Sequence, residues 1–231
     1  MPGSFLMSAN VTDQHQAAQT VVETITAMAS AGRPLMARVV PADKVSFWEH
    51  YPEADARDEV TRSRWYYHAH APDDRDAREH GHFHLFLHRT QLDNPEAFVV
   101  APAAGEEAPA HVTHIAGMSI DHSGIPISWF ATNRWVTDEF FYPAEVVTAH
   151  LARYDVNRTG EDPLVNRLLT AMVALYRDEL EHLLQARDAT VAKLVEDAGP
   201  AAFESGPGVL ATIPIDLDAK IDGSILNKPH S

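Results

Sequence analysis

Fourteen histidines occur in the chain, and six of them fall between His68 and His88. Neutral imidazole is a nitrogen ligand for Zn, Cu, Ni and Fe(II), and it is also a side chain that moves protons near neutral pH. The spacing of these residues narrows the chemistry further. Side chains of a strand alternate between faces, so residues two apart point the same way. Within Arg64-Trp65-Tyr66-Tyr67-His68-Ala69-His70, His68 and His70 share a face; between His80 and His88, His80, His82, His84 and His88 share one. The opposite faces carry Trp65, Tyr67 and Ala69 on the first segment and Phe83, Leu85 and Leu87 on the second, which read as core stripes. Paired as an antiparallel hairpin, the two segments are expected to set His70 opposite His82 and His68 opposite His84, with Cβ atoms about 5 Å apart. A one-residue slip would split the histidines between faces and take Trp65 and Tyr67 away from Phe83 and Leu85.

His68, His70, His82 and His84 are therefore the expected ligands of one transition metal ion: Zn, Cu, Fe or Ni. The chain contains no cysteine, so such an ion has only nitrogen and oxygen ligands to draw on. A site with an open position would be catalytic in style and a closed one structural. Glu79 adjoins the second strand as a further ligand or a base. Arg134, at the exit of a later strand, is a candidate anchor for a carboxylate or phosphate held in bidentate fashion. His80 and His114 rank lower, since His114 shares its side with Val112, Ala116 and Met118 and reads equally well as a core histidine. A plainer account has the histidines decorating a solvated face. That explains one His-x-His but strains to explain two on consecutive strands, each backed by an apolar stripe. For Arg134 the plainer account is a guanidinium stacked on Trp135 and paired with Asp138 or Glu139.

The run His80-Gly81-His82-Phe83-His84-Leu85-Phe86 resembles the signature of the histidine-triad nucleotide hydrolases and transferases, although Gly81 replaces an apolar residue. The resemblance implies metal-free phosphoryl or nucleotidyl transfer with His82 or His84 as nucleophile, and Arg62, Arg64, Arg78 and Arg89 lie close enough in sequence to receive a phosphate. The His-x-His pairs are also similar to those of cupins, but no Glu follows in Leu85-Phe86-Leu87-His88. Multicopper oxidases need a cysteine that this chain lacks. His111-Val112-Thr113 resembles half of a two-histidine phosphoesterase signature without its second copy. Phosphate loops, dinucleotide fingerprints, H-E-x-x-H and the G-x-S-x-G elbow do not occur. Taken together, Tyr67-His68-Ala69-His70, Glu79-His80-Gly81-His82-Phe83-His84 and Asn133-Arg134-Trp135-Val136-Thr137 resemble a bacterial domain family of unknown function. This resemblance covers the middle third of the chain and implies no activity.

The elements that must position these residues are legible as an α+β arrangement, with an antiparallel sheet packed against helices and a long C-terminal helix. One domain is expected over 1–231. Ala17, Val21, Ile25 and Met28 recur at helical spacing in a helix over 13–31 that Gly32 stops. A short extended stretch runs from Leu35 to Val40, and Tyr51-Pro52-Glu53 opens an acidic connection. The sheet region spans about 35–135 and includes a hairpin of 111–121 with 125–133. Arg89 to Ala110, with Pro95, Pro102, Gly105 and Pro109, is long enough to be a lid or binding loop. A helical region covers 143–198, with Asp162-Pro163 as N-cap and N1 of its longer helix. The stripe Leu164, Leu168, Met172, Leu175, Leu183 and Leu194 makes that helix long enough to kink or to form a dimer surface. An extended tail, 200–231, carries Ile213, Ile215 and Leu217 in strand-like alternation.

The formal net charge is −15, from 33 acidic and 18 basic residues. Nucleic-acid binding depends on Lys and Arg neutralising phosphates, and anionic membranes select basic surfaces, so neither partner is expected. No segment approaches the roughly 18 apolar residues of a membrane span. Met1 to Met7 lacks the basic start and apolar stretch of a signal peptide, so a cytoplasmic setting is expected. Function is expected to be metal-dependent oxidation or hydrolysis of a small molecule. The alternatives are the metal-free transferase above and a non-enzymatic metal-binding or interaction protein, with a homodimer as a further possibility.

Overall fold

The computed structural model describes residues 3–41, 46–70, 76–103 and 111–226. The central feature is a six-stranded antiparallel sheet in sequence order. Its strands are β1 (Tyr51–Arg57), β2 (Arg64–His68), β3 (Glu79–His88), β4 (Val112–Asp121), β5 (Pro126–Thr132) and β6 (Val209–Pro214). The acidic connection expected at Tyr51 is thus the edge strand β1, where Pro52 is tolerated because an edge residue can face away from the ladder.

The apolar stripes read from the sequence form the core. Trp65, Tyr67, Phe83, Leu85 and Leu87 are all buried. They join one cluster with Ile115 and Met118 of β4, Trp129 of β5, and Val21, Leu168, Leu169 and Met172 from helices. Those helices are α1 (Gly3–Ser30) and α5 (Pro163–Leu175). A helical turn, α2 (Met36–Val39), replaces the extended stretch expected at 35–40, with Leu35 already in helical conformation. Short helices α3 (Arg134–Thr137) and α4 (Ala144–Thr148) follow β5.

The long C-terminal helix is present as α6 (Arg177–Ala198), separated from α5 at Tyr176, whose φ of −99° and ψ of 21° leave the helical range. The break turns the buried Tyr176 ring onto Trp129, with centroids 5.8 Å apart. Asp162 caps α5 as expected, its carboxylate accepting from Leu164 N–H at 3.0 Å. The region expected as an extended tail is mostly ordered into elements. β6 pairs with β5, setting Ile213 opposite Trp129. Helix α7 (Leu217–Leu226) then begins where Asp216 accepts from Ala219 N–H at 3.0 Å, an N-cap that ends the strand-like alternation before Leu217. No helix among the described residues is long and apolar enough to cross a membrane.

Of the expected long loop, residues 98–101 are tied to Phe141, with Val99 N–H donating to its carbonyl at 2.8 Å and Phe141 N–H donating to Val100 at 2.9 Å. Residues 104–110 of that loop, and 71–75 of the connection between β2 and β3, lie outside the described residues.

One buried polar contact joins sheet to helix: Trp65 Nε1–H donates to Asn166 Oδ1 at 2.9 Å. Substituting Asn166→Ala leaves that N–H buried and unpaired, and urea unfolding should show a loss of about 1–3 kcal/mol. A change within about 0.5 kcal/mol, the range of a neutral surface substitution, would contradict this role for Asn166.

Candidate metal centre

The site is built on the pairing of β2 with β3. Trp65 lies opposite Leu85, Tyr66 opposite His84, Tyr67 opposite Phe83 and His68 opposite His82. This differs by two residues from the register expected above, in which His70 faced His82 and His68 faced His84. A shift of two keeps every side chain on its own face, so the core stripe and the histidine stripe both survive. Gly81 accommodates the observed register, since a Cβ there would run into the Tyr67 hydroxyl and the His68 carbonyl. Beyond the rung of His68 and His82 the chain leaves the ladder. Ala69 bridges Phe47 instead, and its carbonyl accepts from Trp48 N–H at 3.0 Å.

Three of the four expected ligands, His68, His82 and His84, come together, and His70 stands beside His68. His68 Nε2 is 2.6 Å from His82 Nε2 and 3.2 Å from His70 Nε2. Ring nitrogens of His68, His82 and His84 all lie within 4.8 Å of one another. Two nitrogens bound to one tetrahedral ion at ~2.0–2.1 Å stand ~3.3 Å apart. The spacing of His68 and His70 already meets that distance, and His68 and His82 need to part by only about 0.7 Å. The donor set therefore fits a first-row transition ion.

Neighbouring side chains orient the rings. His82 Nδ1 lies 2.7 Å from Glu79 Oε1, so the carboxylate accepts the Nδ1 proton and the lone pair is left on Nε2, the atom facing His68. Glu79, expected as a ligand or base, is thus placed as the orienting partner of His82. His84 Nδ1 lies 2.9 Å from His114 Nε2, and His114 Nδ1 lies 3.1 Å from Thr132 Oγ1. Burial, with Arg187 adding to it, pushes the pKa of His114 down to about 3 and keeps the ring neutral. When His84 donates through Nδ1, His114 passes its own proton towards Thr132, and His84 Nε2 is left as a lone pair. His114 thus stands behind His84 as its hydrogen-bond partner. Its backbone N–H donates to Glu139, a wholly buried carboxyl that also accepts from Thr113 and Thr137 at 3.2 Å.

The histidines line a cleft of about 710 Å³ that is also bordered by Trp48, His50, Phe130, Thr132, Trp135 and Val136. Phe130 stands edge-on to His82 and His84, with centroids 4.9 and 5.7 Å away. It reaches them by lying across Gly117, where any side chain would collide with its ring. His50 stacks on Tyr66 at 3.9 Å, and Trp48 meets His70 edge-on at 4.2 Å. Neither Trp48 nor His50 carries a sequence signal, because they sit in irregular chain with no period to read.

Arg134 does not border the cleft. Its guanidinium donates to Asp138 at 2.5 Å and to Glu204, and the residue is buried. The plainer account named Asp138 correctly, while the second partner is Glu204 in place of Glu139. His80 is drawn aside by the Tyr67 hydroxyl, 2.6 Å from its Nδ1. Arg64, Arg78 and Arg89 pair with Asp55, Asp76 and Glu96 at 3.3, 2.6 and 2.9 Å.

A sheet with one face in the core and imidazoles gathered in a cleft on the other defines an α+β protein with a histidine-cluster site. The chain belongs to the family described as a domain of unknown function (DUF6969), whose model matches residues 15–213. Comparison with curated proteins and with solved structures gave no match.

Burial raises the pKa of Glu139 from 4.5 to about 7. The folded state therefore holds this proton more tightly than the unfolded chain. The resulting stabilisation is complete below pH 4.5 and is lost as pH rises to about 7. His114 acts in the opposite sense, costing stability as pH falls from 6.5 towards 3. In metal-free protein, Glu139→Gln should therefore gain about 2 kcal/mol on wild type between pH 5 and pH 8 in urea unfolding. A difference that does not change with pH would contradict a raised Glu139.

Proposed function

We propose that the protein holds one transition metal ion on His68, His82 and His84, with His70 as the fourth imidazole, and uses it to hydrolyse or oxidise a small molecule in the cytoplasm. The observation that carries this reading is the convergence of ring nitrogens at the foot of a cleft, with separate partners behind His82 and His84. A bound ion would supply a Lewis acid or a redox centre. The protein's own groups do the rest: Glu79 accepts from His82 Nδ1, His114 and Thr132 stand in line behind His84 and hold its ring, and the cleft is of small-molecule size. A solvated, merely decorative histidine face would not bury His82 and His84 to 1% exposure. The metal-free transfer reading has less support, since a phosphate needs cations: Arg64, Arg78 and Arg89 are paired elsewhere, and Arg62 does not border the histidine cleft.

Plasma mass spectrometry on untagged protein tests the proposal. Near-stoichiometric metal is expected in wild type and little in the His82→Ala/His84→Ala double variant. Glu79→Gln should retain the fold and weaken metal affinity about 10–100-fold. Absence of metal after reconstitution with Zn, Cu, Ni and Fe(II), or equal metal in the double variant, would sink it.

A further inference from the structure

The sides of the cleft differ in kind from its floor. Trp48, Trp135, Val136 and Val209 are large apolar residues with 60, 42, 37 and 38% of their surface exposed. All four border this one cleft, together with Phe130. Large apolar side chains scattered singly over a surface mean little, but gathered around a concave opening they mark a ligand site. No Lys, Arg, Asp or Glu borders the cleft among the described residues; its polar groups are the imidazoles, the Thr132 hydroxyl and the Gly208 backbone.

One wall is held in place by the segment Asn133-Arg134-Trp135-Val136-Thr137. Asn133 caps α3 by accepting from Arg134 N–H at 2.8 Å, and its amide donates to Ala202 O at 2.9 Å. Arg134 adds the ion pairs to Asp138 and Glu204. Gly208 presses against the result, since a Cβ there would stand 3.3 Å from Val136 and 3.6 Å from the Trp135 indole. These contacts leave Trp135 and Val136 as the two side chains of the segment that face the cleft. Trp48, for its part, is kept in a left-handed backbone conformation, φ 69°, which a bulky residue adopts only under constraint.

We infer that the cleft takes a flat, uncharged aromatic or heteroaromatic molecule, its ring against the indoles of Trp48 and Trp135 and one donor atom directed at the histidine floor. The donor part of this assignment rests on the metal centre proposed above; the ring part does not. Indole faces favour ring stacking over aliphatic contact. Among the described residues a multiply anionic molecule would find no cationic side chain along these walls, in a chain whose net charge is −15.

The full-length protein loaded with Zn(II) tests the assignment by calorimetric titration with benzohydroxamic acid, acetohydroxamic acid and phenyl phosphate. The two hydroxamic acids offer the same donor group with and without a ring. Benzohydroxamic acid should bind at least about tenfold more tightly than acetohydroxamic acid and more tightly than phenyl phosphate. In Trp135→Ala, and separately in Trp48→Ala, the ratio between the hydroxamic acids should fall towards one at unchanged zinc content. Equal affinities in wild type, a ratio indifferent to both substitutions, or a preference for phenyl phosphate would overturn it. A protein that takes up none of Zn, Cu, Ni and Fe(II) would defeat the metal reading alone. Tryptophan fluorescence of the metal-free protein then decides the ring part: saturable quenching by benzohydroxamic acid and not by acetohydroxamic acid upholds it, and no quenching by either overturns it.

Discussion

A strand has two faces, and the register between β2 and β3 decides what each face holds. In the observed pairing Trp65, Tyr67, Phe83 and Leu85 go to the core while His68, His82 and His84 go to the other side. Exposing a large apolar side chain costs about 1.5–3 kcal/mol, so turning those four outwards would cost on the order of 10 kcal/mol. That is comparable with the whole stability of a typical domain, ~5–15 kcal/mol. The core therefore holds the histidines on one face, and no contact among the imidazoles themselves needs to be strong enough to do so.

Burying polar rings still requires partners for them. His84 is met by His114, His114 by Thr132, and the His114 backbone by Glu139. These groups come from β3, β4, β5 and the turn after α3, so the support of one candidate ligand draws on four successive parts of the chain. Such a network is costly if left half satisfied and rigid if complete. Here it serves orientation, by fixing the plane in which the His84 ring stands. Glu79 does the same for His82 from within β3 itself.

Much of this was legible in the sequence because period two is a local property. The face of each histidine, the apolar stripes and the Asp162 cap follow from residues adjacent in the chain. The register was not, because a shift of two residues preserves period two, and the close approach of Gly81 to Tyr67 in the observed pairing lies across strands. For the same reason Glu79 and His114 were named without their roles, since each acts through a partner set by pairing. Arg134 illustrates the limit from the other side: its sequence neighbour Asp138 was readable as a partner, but Glu204 lies far along the chain. Tyr176 interrupts an apolar stripe that reads as continuous, because the break is made by packing against Trp129 and not by a Gly or Pro. The tail misled because Ile213, Ile215 and Leu217 alternate, while the Asp216 cap that starts α7 falls inside that alternation.

The convergence of several imidazoles on one ion is the point on which everything about the site turns. X-ray absorption at the metal edge, on protein given one equivalent of metal, addresses it directly. A first shell of three or four nitrogens with the outer-shell scattering of imidazole rings is expected. A shell dominated by oxygen, without imidazole scattering, would contradict it and place the ion elsewhere on an acidic surface.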